Sequence, residues 1–381
     1  MILSEKDHGY RRCAATVMDN IADPDITFDK DGISNYYYLY KQIEADNLPP
    51  AGQKAARLEE MISAIKEEGK GKPYDCITGV SGGVDSSYLI LMAKRWGLRP
   101  LIVHFDNGWN TEIAVKNINS IIEHTGYDLY TIVVNWEEFR DIQLSYIKAG
   151  VVDWEVPTDH AIYATWFKLA KKYNVRTILS GNNVVTEAVM PPSWIFNKAD
   201  NVNLTNIHDR FGTIPIKTYP VHGSLGQQMR SRLKGTTTVK PLNLIDYDKA
   251  EAKEEIKKEF GWVDYGGKHY ESVYTKFYQA YVLPEKFKID KRKPHLTNLI
   301  MSGQVSRAAA LEELKEPLYT TADLRQEKEY VLKKLGLTNE EFDKYMTSPR
   351  VEHAFYGTQQ FITERYPVLK LVRPFINLIK K

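Results

Sequence analysis

A turn rich in glycine and serine is the part of this 381-residue chain best suited to chemistry. The turn reads Val80-Ser81-Gly82-Gly83-Val84-Asp85-Ser86-Ser87, follows the apolar stretch 74–80 and leads into the helix-like stretch 86–95. Glycines let a backbone turn tightly and approach a ligand closely. The N–H groups that begin a helix have no intrahelical partner, and the helix dipole attracts negative charge to them. The pattern therefore predicts an anion-binding loop, with serine hydroxyls as further donors.

The loop does not follow the mononucleotide P-loop pattern, which needs a lysine and then Ser or Thr after its last glycine. The nearest approach to that pattern, Gly261 to His269, is one residue too long, and His269 replaces the hydroxyl. The Ser-Gly-Gly-x-Asp-Ser signature instead resembles the pyrophosphate loop (PP-loop) of the ATP pyrophosphatase families. Those enzymes hold the β- and γ-phosphates and split ATP into AMP and pyrophosphate. The alternative is a glycine-rich turn that merely begins a helix.

Composition narrows the class of protein. Hydrophobic residues make up 43% and charged residues 26%, as in ordinary globular proteins, and the formal charge of +2 argues against nucleic acid as the main partner. A local basic patch from Lys286 to Lys293 remains open. The two cysteines, Cys13 and Cys76, suggest no disulfide framework. No signal-peptide core or bilayer-length apolar run is visible, so we expect a cytoplasmic protein without membrane insertion.

Strand-like and helix-like segments alternate through the first two thirds of the chain. This alternation predicts an α/β fold with a doubly wound parallel sheet, and a strand at 214–219 is plausible. From about residue 248 the pattern becomes helical, whereas the first fifty residues look irregular. We therefore divide the chain into an N-terminal extension (1–50), a PP-loop domain (51–247) and a helical C-terminal region (248–381). Strands are expected at 74–80, 99–105, 129–134 and 176–180, and helices at 51–69, 86–95, 112–124, 136–148, 159–173, 249–260, 304–315, 322–335 and 339–347.

Polar residues follow several of the predicted strands. They occur at 104–110, at 180–187 and, between two strands, at 156–160. Ligands of parallel sheets bind beyond the carboxyl ends of the strands, so we expect these loops to converge on one crevice. Each loop could also be a plain turn or a helix cap.

Taken together, the segments resemble the N-acetyl sugar amidotransferase family, the WbpG-like proteins of lipopolysaccharide synthesis. The resemblance covers roughly residues 10 to 315, and its C-terminal segments distinguish this family within the PP-loop superfamily. The matching stretches are 23–29, 79–87, 104–110, 157–160, 180–183, 186–187, 266–272, 275–279 and 302–307.

The N-terminal extension departs from the family pattern. Family members often carry paired Cys-x-x-Cys elements there, which suit a tetrahedral zinc site. In this chain the equivalent places read Cys13-Ala14-Ala15-Thr16 and Ser34-Asn35-Tyr36-Tyr37. One thiolate cannot supply such a site, so we predict no structural zinc.

The resemblance implies a reaction and roles for residues. An acetamido group on a nucleotide-activated N-acetyl sugar becomes an acetamidino group: its oxygen attacks the α-phosphate of ATP, and ammonia then displaces AMP. Mg²⁺ would be held through Asp85. The implied catalytic residues are Ser81, Asp85, Lys268, His269, Glu271 and Arg307; those for ATP are Gly79, Val80, Ser81, Gly82, Gly83, Asp85, Ser86, Ser87, His104, Phe105, Asp106 and Gly181; those for the sugar substrate are Asn107, Trp109, Asp159, His160, Asn182, Asn183, Glu187 and Lys276.

Neither cysteine has the setting of an activated nucleophile, so the sequence contains no convincing glutaminase. The resemblance implies that a separate glutaminase, paired with a cyclase-like barrel protein, supplies ammonia. Homo-oligomer formation is left open. The alternatives are a tRNA-modifying PP-loop enzyme, an amide-forming ligase of the NAD- or GMP-synthetase type, and a nucleotide-binding subunit without catalysis.

Overall fold

A central parallel sheet organises the protein. The computed structural model describes residues 8–221, 235–267 and 270–359, apart from the side chain of Ala51. All strand pairs in the sheet are parallel, and the strand order is β3-β2-β1-β4-β5. The chain order reverses between β1 and β4, which creates the switch point where ligands of such sheets bind. The doubly wound α/β prediction is thus confirmed. The strands are β1 (Cys76–Gly79), β2 (Pro100–Asp106), β3 (Leu129–Val133), β4 (Thr177–Leu179) and β5 (Thr237–Val239).

Helices surround the sheet and make up most of the C-terminal third. A π-helix, Tyr278–Phe287, continues α10, and short 3₁₀ turns occupy Pro192–Trp194, Pro241–Leu244 and His353–Tyr356. The α-helices are α1 (Asn35–Asn47), α2 (Ala51–Glu68), α3 (Val84–Arg95), α4 (Glu112–Thr125), α5 (Trp136–Ala149), α6 (Val156–Lys172), α7 (Val184–Glu187), α8 (Asn201–Phe211), α9 (Lys249–Phe260), α10 (Val273–Phe277), α11 (Arg292–Met301), α12 (Arg307–Glu313), α13 (Thr321–Leu335) and α14 (Asn339–Thr347).

The two faces of the sheet carry different helices, because successive strand side chains point to opposite sides. On one face, Cys76 and Ile102 pack with buried side chains of α3, α4 and α9. On the other face, Ile77 and Leu101 pack against Leu169 of α6. Burial of both faces explains why these strands read as almost continuous apolar runs in the sequence.

From residue 8 to Ser34 the N-terminal segment is irregular, and it then forms α1. It is fastened to the C-terminal helices by a buried ion pair, in which Lys293 lies 2.6 Å from Asp19. Lys286 instead donates to the backbone carbonyls of Tyr345 and Ser348. Lys286 and Lys293, the two ends of the basic stretch noted in the sequence, therefore make contacts inside the protein. The domain division itself stays a prediction.

The strand expected at 214–219 was wrong. This segment wraps around α5, where the Glu138 carboxylate accepts the backbone N–H groups of residues 217–219 and the Asp141 carboxylate accepts those of Thr213 and Ile214. Side-chain carboxylates thus take the donors that a sheet neighbour would have used. The fifth strand is β5, which the sequence pattern did not indicate. Across the described ranges, no helix has both the length and the apolar character needed to span a membrane.

Candidate active site

The predicted anion-binding loop lies between β1 and α3, at the switch point of the sheet. The Ser81 and Ser86 hydroxyls are 3.2 Å apart, and Ser86 Oγ also donates to the Gly83 carbonyl at 3.2 Å. Ser81 Oγ accepts the Gly83 N–H at 3.2 Å. These bonds close the loop on itself and present backbone N–H groups at the helix start, the arrangement that binds anions.

One glycine of the loop is required by geometry, and a second is closely packed. Gly82 has φ +83°, and a Cβ atom there would lie 2.9 Å from the carbonyl oxygen of Ala114 at the start of α4. A Cβ on Gly83 would approach Tyr265 Oη to 3.0 Å. A side chain at either position would therefore fill the anion-binding loop or displace the residues that pack against it.

Asp85, in the first turn of α3, is oriented by a tyrosine from a distant part of the chain. The Tyr247 hydroxyl donates to one carboxylate oxygen of Asp85. Burial, followed by the negative charge of Asp85, raises the pKa of Tyr247, so this phenol remains a donor. The indole N–H of Trp262 donates to the Gly82 carbonyl at 2.8 Å and braces the other side of the loop.

The loop after β2 is fixed by a chain of polar contacts. His104 Nδ1 donates to the Val80 carbonyl at 3.1 Å, and His104 Nε2 accepts the Asn110 amide at 3.1 Å. A carbonyl can only accept and an amide nitrogen can only donate, so the two bonds select the neutral tautomer of His104. Asp106 accepts the N–H of Gly108 at 2.8 Å and acts inside the turn.

A cavity of about 940 Å³ opens above these loops. It is lined by the PP-loop, by residues that follow β2 and β4, and by residues from 264 to 318. Ile162 and Trp166 of α6 give it an apolar wall beside Gly79. The predicted site residues that line it are Gly79, Val80, Ser81, Gly83, Asp85, Ser86, His104, Phe105, Asn107, Asp159, Gly181, Asn182, Glu187 and Glu271.

The other predicted site residues in the described ranges do not line this cavity. Trp109 is fully buried and donates to Gln143, and Asn183 caps α7 by accepting the Thr186 N–H. Lys276 pairs with Glu327. Gly82 lies in the glycine-rich loop, Ser87 in α3 and Asp106 at the end of β2. His160 bonds the Lys198 carbonyl, and Arg307 bonds the carbonyls of Cys13 and Thr16. Lys268 and His269 lie outside the described residues.

Sequence reasoning missed a charged group at the side of the cavity, formed by Glu155, Lys198 and Lys291 together with Asp159. Lys198 Nζ lies 2.6 Å from the fully buried Asp153 and 3.2 Å from Asp159. The usable signal was the stretch 151–156, in which two acids stand among apolar residues just before a helix. Buried carboxylates are costly, so such a pattern indicates pairing or function.

The C-terminal part joins the loop that follows β2 through its backbone. The Thr111 N–H donates to the Glu271 carbonyl and the Val273 N–H to the Trp109 carbonyl, both at 2.9 Å, and Asn110 and Ser272 form a β-bridge. The C-terminal part therefore begins on the loop that follows β2.

The N-terminal thiol is held by neighbouring groups. Cys13 is buried, and its Sγ accepts the Ser34 N–H at 3.3 Å. Burial acts to raise the pKa of Cys13, but hydrogen bonds with Ser34 and Thr16 outweigh it and lower the pKa. Within residues 8–221, 235–267 and 270–359, no three His, Cys, Asp or Glu side chains are grouped to hold a metal. The expectation of no zinc stays a prediction.

Comparison with known proteins agrees with the C-terminal part of the resemblance. Residues 271–370 match the family model of the LPS biosynthesis protein WbpG-like, C-terminal domain. Uncharacterized protein MJ1599 of Methanocaldococcus jannaschii is 34% identical over 104 residues, 27% of this chain and 36% of that protein. The chain thus matches about a third of the length of this curated relative. The structure of NMN synthetase from Francisella tularensis superposes with a TM-score of 0.29 and 13% identity over 60% of this chain and 93% of that one.

The fold evidence is the parallel sheet itself, with its loop at the switch point. The chain thus combines a parallel α/β sheet, which carries a glycine-rich loop at its switch point, with a C-terminal segment that matches the WbpG-like domain of LPS biosynthesis proteins.

Proposed function

We propose that this protein is an ATP-dependent amidotransferase that converts the acetamido group of a nucleotide-linked N-acetyl sugar into an acetamidino group. One observation carries the proposal: a single cavity is lined both by the PP-loop and by the first residues of the WbpG-like domain. Its volume of about 940 Å³ lies at the upper end of the range for ligand sites, roughly 300–1,000 Å³. Such a cavity suits a site that must bring two substrates together.

The residues present fit ATP. The pyrophosphate would lie on the N–H groups and hydroxyls around Ser81, Gly83 and Ser86, and the adenine against the apolar wall formed by Ile162 and Trp166. Asp85 offers carboxylate oxygen, the ligand type Mg²⁺ takes together with phosphate oxygens. The ion, when bound, would neutralise phosphate charge.

The chemistry explains why two parts of the chain must meet. An amide carbonyl is a poor electrophile, and its oxygen is a poor leaving group. Attack of that oxygen on the α-phosphorus releases pyrophosphate and leaves an O-adenylyl imidate, from which ammonia expels AMP. The enzyme must align the attack and exclude water from the imidate. Asn182, Glu187 and Glu271 line the cavity and are the proposed contacts for the acetamido sugar.

Ammonia would come from a separate glutaminase. Both cysteines are buried, and burial raises the pKa of Cys76 well above that of an ordinary thiol. A glutaminase nucleophile needs an accessible thiolate. The purified chain should therefore use ammonium salts and not glutamine; turnover with glutamine alone would contradict this part of the proposal.

The test incubates the protein with ATP, Mg²⁺, ammonium and a panel of UDP- and CMP-linked N-acetyl sugars. We expect AMP together with a sugar in which one oxygen has become NH, and an isotopically labelled acetamido oxygen should appear in AMP. Ser81→Ala and Asp85→Ala should abolish turnover, while Ser63→Ala, an exposed position on α2, should not. A tRNA-dependent reaction, or no AMP with any sugar, would favour the alternatives named from the sequence.

A further inference from the structure

Glu155 stands at the edge of the cavity with one carboxylate oxygen engaged and the other unused. It directly precedes α6, and only 8% of its surface is exposed. Its Oε2 accepts the Thr275 hydroxyl of α10 at 2.9 Å. Its Oε1 is buried and has no hydrogen-bond partner among the described residues. A buried, unpartnered carboxylate oxygen is costly, so it marks a place where a ligand donor belongs.

Among residues 8–221, 235–267 and 270–359, no cation forms a direct ion pair with Glu155. Lys198, which also lines the cavity, is bound to Asp153 and Asp159. Lys291 lines the cavity just before α11, and the buried Tyr274 is close enough to interact electrostatically with Glu155. Burial and then the negative charge of Asp159 raise the pKa of Glu155 to about 7, against the opposing effects of both lysines and the Thr275 hydroxyl.

We propose that Glu155 is the general base of the ammonia-transfer step. The inference rests on the proposed function. It follows from two observations: Glu155 lines the cavity to which the WbpG-like segment contributes, and its Oε1 is buried with no partner among the described residues.

The step balances as follows. Ammonia adds through its lone pair to the carbon of the protonated O-adenylyl imidate, giving a tetrahedral adduct with an –NH₃⁺ group. Glu155 takes one proton from that nitrogen. The C–O bond then breaks, AMP leaves with the electron pair and the former amide oxygen, and the product remains as the amidinium cation. General bases of this kind contribute about 100- to 10,000-fold to a rate.

The experiment separates the two half-reactions. Pyrophosphate release in a single turnover without ammonia reports adenylylation, and amidino-sugar formation with ammonium chloride reports transfer. We expect Glu155→Gln to retain pyrophosphate release and to lose transfer by about 100- to 10,000-fold. Glu137→Gln, an exposed position in the first turn of α5, is the matched control and should behave like the wild type.

The pH profile supplies a readout that a purely structural role would not give. Only the carboxylate can take the proton, so the transfer rate per free ammonia should rise as the pH passes through about 7 and then level off. Glu155→Gln should lack this rise. Thr275→Val removes a bond that lowers the pKa of Glu155, so the rise should move to higher pH.

The outcomes distinguish the two proposals. If the wild type releases no pyrophosphate with any sugar of the panel, the amidotransferase proposal fails, and the role of Glu155 fails with it. If the wild type makes the amidino sugar and Glu155→Gln transfers ammonia equally well, only the role of Glu155 is overturned. Equal loss of both half-reactions would also overturn it, because Glu155 would then support the site as a whole.

Discussion

At Gly82, backbone strain and steric clash can be separated experimentally, because Gly71 has a similar positive φ but open surroundings. Gly82 has φ +83° and would place a Cβ 2.9 Å from the Ala114 carbonyl oxygen. Gly71 has φ +72°, and a Cβ there would meet nothing within 4 Å. Left-handed backbone costs a residue with a Cβ roughly 1–2 kcal/mol. Gly71→Ala should therefore lose about that much stability in urea unfolding, and Gly82→Ala should lose at least as much, because its Cβ also clashes.

Only Gly82→Ala should also damage the nucleotide site. A 2.9 Å approach to a backbone oxygen is shorter than real Cβ contacts, so the loop or the start of α4 must move. When reacting groups are displaced by about 1 Å from their aligned positions, the reaction rate can fall by about 100-fold. We expect weaker Mg²⁺–ATP binding by calorimetry and about 100-fold slower AMP formation. If Gly82→Ala and Gly71→Ala bind ATP equally, the assigned cradle is wrong.

Three further perturbations have defined outcomes. Burial is the main cause that lowers the pKa of His353 from 6.5 to about 4. As the pH is lowered from about 6.5 to about 4, this histidine is protonated in the unfolded chain but not in the folded one, so the folded state loses up to about 3 kcal/mol of stability. In urea unfolding, the free energy of unfolding of His353→Asn should fall less steeply over this pH range than that of the wild type. An equally steep fall would contradict this reasoning. Tyr247→Phe removes the bond to Asp85 and should weaken Mg²⁺–ATP binding about 10-fold, whereas unchanged calorimetric affinity would exclude this positioning role. Lys293→Met leaves Asp19 buried without its partner and should cost about 3–5 kcal/mol in thermal unfolding, and Asp19→Asn in the same chain should restore much of that loss.

The PP-loop could be predicted because its signal is local. A strand, a turn and a helix within about twenty residues contain every group that shapes the loop, so residue type and order suffice. Helices α4, α9, α13 and α14 were also predicted to within a residue or two, since each combines a regular apolar face with an N-cap side chain.

The charged wall of the cavity could not be predicted in the same way. Glu155, Lys198, Thr275 and Lys291 come from four separate stretches, and only packing brings them together. The error at 214–219 has a related cause: its alternating Ile and Thr residues resemble a strand, but distant carboxylates on α5 capture its backbone. The roles expected for Lys268 and His269 remain predictions.

The backbone bridge between residues 109–111 and 271–273 limits which segments of this protein can be exchanged for those of a homologue. The two segments share hydrogen bonds through their main chains, so the geometry of one determines the geometry of the other whatever their side chains are. A chimera that takes a C-terminal domain from a homologue would need the homologue's loop after β2 as well. If the proposed function holds, sugar preference and nucleotide geometry are therefore expected to be inherited together, as one unit of evolutionary change.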